Sequence, residues 1–145
     1  MELCIKRFEE LSPRELYEIL QVRVAVFVVE QNCHYQELDG KDYFSLHVFF
    51  KENGQIQAYL RIVGPNSPCD EISIGRVLSV RRGGGLGKEI MAEGIRVAKE
   101  RMAARKIAIE AQSYAKEFYE RFGFVQMSDE FLEDGIAHIK MLLTL

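Results

Sequence analysis

The stretch Arg82-Gly83-Gly84-Gly85-Leu86-Gly87-Lys88 follows an apolar, strand-like run and opens a strongly patterned helix, a placement suited to holding phosphate. Glycine removes the Cβ atoms that keep a pyrophosphate off the main chain, and it admits dihedrals that turn successive N–H groups inward. The first turn of the following helix adds unpaired N–H groups and the positive end of its dipole. Two familiar phosphate loops do not fit. A Walker loop, G-x-x-x-x-G-K-[S/T], needs glycine where Arg82 stands and a hydroxyl where Glu89 stands. A dinucleotide fingerprint, G-x-G-x-x-G, meets Lys88 at its third glycine if started at Gly83, and Ile90 if started at Gly85. The spacing that fits is [R/Q]-x-x-G-x-[G/A], read at Arg82, Gly85 and Gly87.

Beyond the helix comes a short β-like run, Lys106-Ile107-Ala108-Ile109-Glu110-Ala111, and then a segment from Gln112 to Phe124 with the spacing N-x-x-A-x-x-x-Y-x-x-x-G-F. Gln112 takes the place of the asparagine, and Ala115, Tyr119, Gly123 and Phe124 match. The two segments, in this order and one helix and one strand apart, resemble the paired signatures of the GNAT superfamily of N-acetyltransferases. Val26-Phe27-Val28-Val29-Glu30-Gln31-Asn32-Cys33, followed by Asp39-Gly40, is similar to its ElaA-like branch. The resemblance runs the length of the chain.

That resemblance implies an α/β fold with a central mixed β-sheet and helices on both faces, the acyl-CoA N-acyltransferase fold, in a single domain over residues 1–145. It implies acetyl-CoA as co-substrate and no metal. Arg82, Gly83, Gly84, Gly85, Leu86, Gly87 and Lys88 take the pyrophosphate loop positions, and Gln112 a second cofactor position. The pantetheine arm is expected along the strand that ends at Leu78-Ser79-Val80, with a backbone N–H near Leu78 or Ser79 meeting the oxyanion. Relatives carry several residues, often with a proline, between that strand and the arginine; here Arg81 alone separates Val80 from Arg82. The implied reaction is acetyl transfer to the primary amine of a small molecule or an amino terminus, by direct attack in a ternary complex. The alternative is an inactive acetyl-CoA-binding sensor or protein-interaction module, and Gln112 and the shortened approach to Arg82 are the features that favour it.

Acetyl transfer needs a neutral amine, a stabilised oxyanion and a proton for the departing thiolate. Tyr119 matches the family's general acid; its alternative is a place in an aromatic cluster with Phe118, Phe122 and Phe124. In Gly135-Ile136-Ala137-His138-Ile139-Lys140-Met141, His138 matches a histidine that faces the acceptor in some relatives, and an imidazole ordinarily titrates near ~6.5, which suits a general base. The alternative is a histidine hydrogen-bonded at a strand edge. Glu30 is a second candidate, acting through water, and His47 alternates with Ser45 and Phe49 on one strand face. Arg61 and Arg76 fall on strands expected to be neighbours and are candidates for binding a substrate carboxylate or phosphate. Pairing with Asp39, Asp42 or Glu71 explains them equally well.

The chain has 145 residues, 48% hydrophobic and 28% charged, a composition that supports one soluble domain with its own core. A net charge of −3 supplies no basic face for nucleic acid or an anionic membrane; Arg81, Arg82 and Lys88 make only a local cluster. No signal-like or bilayer-length apolar run occurs, so a cytoplasmic protein is expected. The three cysteines, Cys4, Cys33 and Cys69, are odd in number and lack a C-x-x-C spacing, which indicates reduced thiols, with Cys33 as a packing residue. The expected partner is a small-molecule or peptide amine, and a homodimer is left open.

These residues must be positioned by a predicted order β-α-α-β-β-β-α-β-α-β. Leu3 to Phe8 reads as a strand, and Ser12-Pro13-x-Glu15 caps a helix to about Arg23. The apolar run from Val24 to Val29 has no decisive period. The resemblance implies a second helix there and a loop, from about Gln31 to Lys41, overhanging the acceptor site. Phe44–Lys51 and Gln55–Val63 form a hairpin about Asn53-Gly54. A loop at residues 64–68 follows, then a strand over Glu71–Val80 and a helix from Leu86 to about Arg105. Ile136–Leu145 closes the sheet. By the resemblance, the strands flanking the long helix are parallel and splay apart.

Overall fold

The structure is a computed structural model, and it describes residues 1–64 and 71–145. The strands are β1 (Glu2–Arg7), β2 (Ser45–Glu52), β3 (Gln55–Val63), β4 (Glu71–Ser79), β5 (Lys106–Gln112), β6 (Val125–Gln126), β7 (Phe131–Glu133) and β8 (Ile136–Thr144). The helices are α1 (Pro13–Val24), α2 (Leu86–Met102) and α3 (Lys116–Glu120). One mixed sheet runs in the order β1-β2-β3-β4-β5-β8-β6, with β7 on β8. The β4–β5 pair is parallel, and every other pair is antiparallel. The fold is therefore the mixed α/β sheet the resemblance implied.

Alternation along β3 divides the core in two. Ala58, Leu60 and Ile62 face α2, packing with Ile90, Met91, Val97 and Ala98, whereas Tyr59 faces α1 and packs with Ile19, Phe49 and Leu78. Helices thus cover both faces. Gly94 lets α2 lie close on β3, since a Cβ there would stand 2.6 Å from Leu60 Cδ2. Ser12 and Glu15 form the expected capping box at α1, with Pro13 at its first position.

Three details differ from the sequence expectation. The helix implied for Val24–Val29 is a π-helical continuation of α1 over Ala25–Glu30, which swings the chain toward the site rather than starting anew. Helix α2 stops at Met102 because Ala103 turns left-handed, at φ +50°, where the pattern alone ran on to about Arg105. The short strands β6 and β7 were not foreseen; two or three residues show no readable period. The loop expected at residues 64–68, and Cys69, lie largely or wholly outside the described residues. Cys4 and Cys33 are buried free thiols. No described helix is long and apolar enough to cross a membrane.

Candidate active site

β4 and β5 pair at only three positions, Glu71–Lys106, Ile72–Ile107 and Ser73–Ala108, and then diverge. A cleft of about 920 Å³ opens there, lined among others by Leu78, Ser79, Gln112, Phe118, Tyr119 and His138. One end is built from backbone. Gly83 and Gly85 sit at φ +79° and +80°, and a Cβ at Gly83, Gly84, Gly85 or Gly87 would meet nothing within 4 Å. Gly85 is the N-cap of α2 and provides no side-chain cap. The helical ladder starts with Glu89 N–H donating to Gly85 O at 3.0 Å, so the N–H groups of Leu86, Gly87 and Lys88 have no acceptor within the helix. An uncapped positive terminus behind an open glycine loop fits a pyrophosphate. Arg82 stands beside it at the surface, donating to Glu30 at 2.9 Å; both side chains are more than half exposed, so the pair holds weakly.

The open edge of β4 supplies donors further in. Val80 N–H donates to Gln57 O at 2.9 Å, so alternation turns the Ser79 N–H away from β3 and toward the gap. Between Tyr59–Leu78 and Arg61–Gly75 the register slips, which places Arg76 and Val77 together opposite Leu60 as a β-bulge. Arg76 is left-handed, at φ +54°, a conformation that costs an arginine free energy and must be held from outside.

What holds it is a buried ladder of alternating charges. Arg76 donates to Glu37 Oε1 at 3.0 Å and to the Glu37 carbonyl at 2.9 Å. Glu37 takes both prongs of Arg23, at 2.6 and 2.9 Å, and Arg23 reaches Asp42 at 2.6 Å. Arg61 closes the ladder on Asp42 at 3.1 Å and on Asp39 at 2.9 and 2.5 Å. Burial opposes the Asp39 and Asp42 carboxylates, but Arg61 on the first and Arg23 on the second overcome it and hold both below the usual carboxylate range. Arg61 and Arg76 do line the cleft. Their guanidinium groups are engaged by the loop's own carboxylates, the pairing with Asp39 and Asp42 that was the alternative to substrate binding. Glu71 pairs with Lys140 instead, at 3.2 Å.

His47 is fully buried and spoken for: one ring nitrogen lies 3.0 Å from the Asp42 carbonyl and the other 2.8 Å from the Tyr59 hydroxyl. A carbonyl only accepts, so Nε2 carries the proton and Nδ1 accepts from Tyr59. Burial lowers its pKa, and the ring stays neutral inside the scaffold.

Tyr119 and His138 both line the opposite part of the cleft. Tyr119 packs edge-on against Phe118 and Phe124, with ring centroids 5.0 and 6.0 Å away. Burial, with a small addition from Tyr114, pushes its hydroxyl up to about 12, so it keeps its proton at neutral pH. The aromatic cluster is present, and Tyr119 also lines the cleft. Gln112 stands opposite His138 in the β5–β8 register and donates to Gln31 Oε1 at 3.1 Å. His138 is 8% exposed, and its Nδ1 donates to the Ile136 carbonyl at 2.7 Å. In the neutral ring, Nε2 then keeps its lone pair. Phe131 stacks on the imidazole at 6.1 Å, and Glu133 Oε2 lies 3.7 Å from Nε2.

Sequence reasoning missed Arg23 and Glu37 in the ladder, Glu133 beside His138, and Glu110 on the same face of the sheet. Glu110 had a visible signal, a lone charge within the apolar run of β5. Among the described residues, no group of histidine, cysteine or carboxylate side chains is arranged to hold a metal ion.

A family profile described as an acetyltransferase (GNAT) domain matches residues 12–145. The chain is 37% identical over 136 residues to ElaA of Escherichia coli K12, covering 91% of this chain and 89% of that protein. The crystal structure of E. coli ElaA superposes with a TM-score of 0.92 at 34% identity, over 98% of each chain. An acyl-CoA N-acyltransferase from Pseudomonas aeruginosa superposes with a TM-score of 0.93 at 36% identity, over 99% of this chain and 100% of that one.

Proposed function

Because this chain belongs to the GNAT acetyltransferase family, we propose that it is an acetyl-CoA-dependent N-acetyltransferase acting on the primary amine of a small molecule or an amino terminus. The observation that carries the reading is one cleft with two unlike ends. An uncapped helix terminus behind a glycine loop stands at one end, and a protonated tyrosine and a histidine with a free lone pair stand at the other.

Each group then has a task. The N–H groups at the start of α2 receive the pyrophosphate, with Arg82 as a flexible outer contact and Gln112 near the inner end. Leu78, Ser79 and Val80 carry the pantetheine arm along the open edge of β4, and the Ser79 N–H, preset by the sheet, receives the negative charge that develops on the thioester carbonyl oxygen. His138 Nε2 takes one proton from the acceptor ammonium, freeing the nitrogen lone pair to form the C–N bond as the C–S bond breaks. Tyr119 gives its proton to the departing sulfur and is reprotonated by the second proton that the nitrogen loses as the amide forms. Its raised pKa keeps that proton available across the working range. Direct attack is favoured by Cys33, the one thiol among the described residues that lines the cleft, being buried and donating to the Asp134 carbonyl at 3.3 Å.

The test is a panel of primary amines mixed with acetyl-CoA, following thiol release and product mass. Thiol release that depends on the amine supports the reading; hydrolysis alone, or coenzyme binding without turnover on any amine, turns it toward a sensor. Tyr119→Phe is expected to lower kcat by about a hundredfold or more while leaving acetyl-CoA affinity near its starting value.

A further inference from the structure

The cleft's two acidic walls differ in one respect. On the ladder side each carboxylate has an arginine. On the other side, Glu110, Glu133 and Asp134 all line the cleft, and no lysine or arginine among the described residues forms an ion pair with any of them. Lys140, across from Glu110 in the register, is turned to Glu71. The β5–β8–β7 register stacks Glu110, Gln112, His138 and Glu133 on one face, and Glu133 Oε2 lies 3.7 Å from His138 Nε2. Carboxylates gathered on one cleft face without a countercharge attract a cation, and partial burial together with the like charge of Glu110 raises the Glu133 pKa. An independent feature points the same way. His138 as a residue is 8% exposed, its Nδ1 is satisfied by Ile136, and its Nε2 has no hydrogen-bond partner and faces Glu133.

We propose that the acceptor's ammonium group docks at the Glu110–Glu133 face against His138 Nε2, and that the acceptor is an aliphatic primary amine with no anionic group on the same short chain. This rests on the reading of the cleft as an acyl-transfer site and narrows its substrate class. An ammonium has three N–H donors, and the two carboxylates and the imidazole lone pair are three acceptors. The same wall repels a carboxylate carried within a few carbons of the amine. The ladder cannot rescue such a substrate, because Arg61 and Arg76 already serve Asp39 and Glu37. Amino acids and other zwitterions are therefore disfavoured, and diamines are accepted.

The test compares butylamine, γ-aminobutyrate and putrescine with the full-length protein, wild type and Glu110→Gln/Glu133→Gln. Both positions are exposed, and glutamine keeps their shape, so a melting curve verifies folding. Wild type should favour butylamine and putrescine over γ-aminobutyrate by about tenfold or more in kcat/KM, and the double variant should raise KM for the two cations and shrink that gap. Calorimetric binding of putrescine to the protein–CoA complex should weaken in parallel. Binding that is lost in the variant while no amine is acetylated supports the ammonium seat and overturns the transferase. Equal use of γ-aminobutyrate, or an unchanged preference in the folded variant, overturns the seat and leaves the transferase intact.

Discussion

The wall of the cleft formed by residues 31–44 and the wall formed by β5, β7 and β8 are both rich in carboxylates, yet they do opposite things with them. On the first, Glu37, Asp39 and Asp42 alternate with Arg23, Arg61 and Arg76 in a closed ladder that is largely shielded from water. On the second, Glu110 and Glu133 share one face of the sheet, with Glu133 beside the His138 imidazole, and no lysine or arginine among the described residues forms an ion pair with either. Composition cannot tell a charged scaffold from a charged receptor. What distinguishes them is whether the countercharge is already in the chain.

If the ladder is scaffold, breaking it should unfold the protein before it alters chemistry. Arg23 is fully buried and bonded to two carboxylates. Arg23→Met strips both of a partner, and the expected loss is about 3–5 kcal/mol in chemical denaturation. A loss under about 1 kcal/mol would break the comparison.

The opposite wall should respond the other way. His138→Ala is expected to reduce kcat by roughly two to four orders of magnitude, the usual worth of a positioned acid or base, with little change in acetyl-CoA affinity. Full turnover in this variant would pass the proton to Glu30, to water or to no protein group.

The pyrophosphate end stands apart from both walls, because backbone rather than side chains builds it. That is why it could be read at once: Arg82, Gly85 and Gly87 are close in the sequence, and their spacing is the geometry. The mixed sheet, the splayed β4 and β5 and the cap at Ser12 were legible for the same local reasons. The ladder was not, because Arg23, the carboxylates of the 31–44 loop, Arg61 and Arg76 come from four separate segments and meet only after β3 and β4 pair. The bulge at Arg76 was hidden too, since no glycine marks it. Replacing Gly85 and Gly87 by valine should weaken CoA binding by well over tenfold in calorimetry with an unchanged circular dichroism spectrum, because it alters the loop and its left-handed turn but neither wall. Unchanged affinity would move the pyrophosphate elsewhere.

The smallest effect is also the one that sets the two walls against each other directly. Asp39 and Asp42 have depressed pKa values, so the stability they contribute is fully present above the ordinary aspartate value of 3.8 and is lost as pH falls through their lower folded values. Glu133 moves oppositely: burial, and then the charge and hydrogen bond of Glu110, raise it above the ordinary 4.5. Its ionised form is disfavoured in the fold, so taking up a proton there stabilises the protein, and that gain is lost as pH rises through the raised value. Melting temperature should therefore rise slightly as pH is lowered from neutral into the mildly acid range, and fall once the ladder begins to protonate below 3.8. The initial rise should vanish in Glu133→Gln, which has no proton to take up, while the acid collapse remains. A variant that keeps the rise would place the titrating group outside the Glu110–Glu133 pair, and one that loses the collapse would tie the ladder to a wall it does not touch.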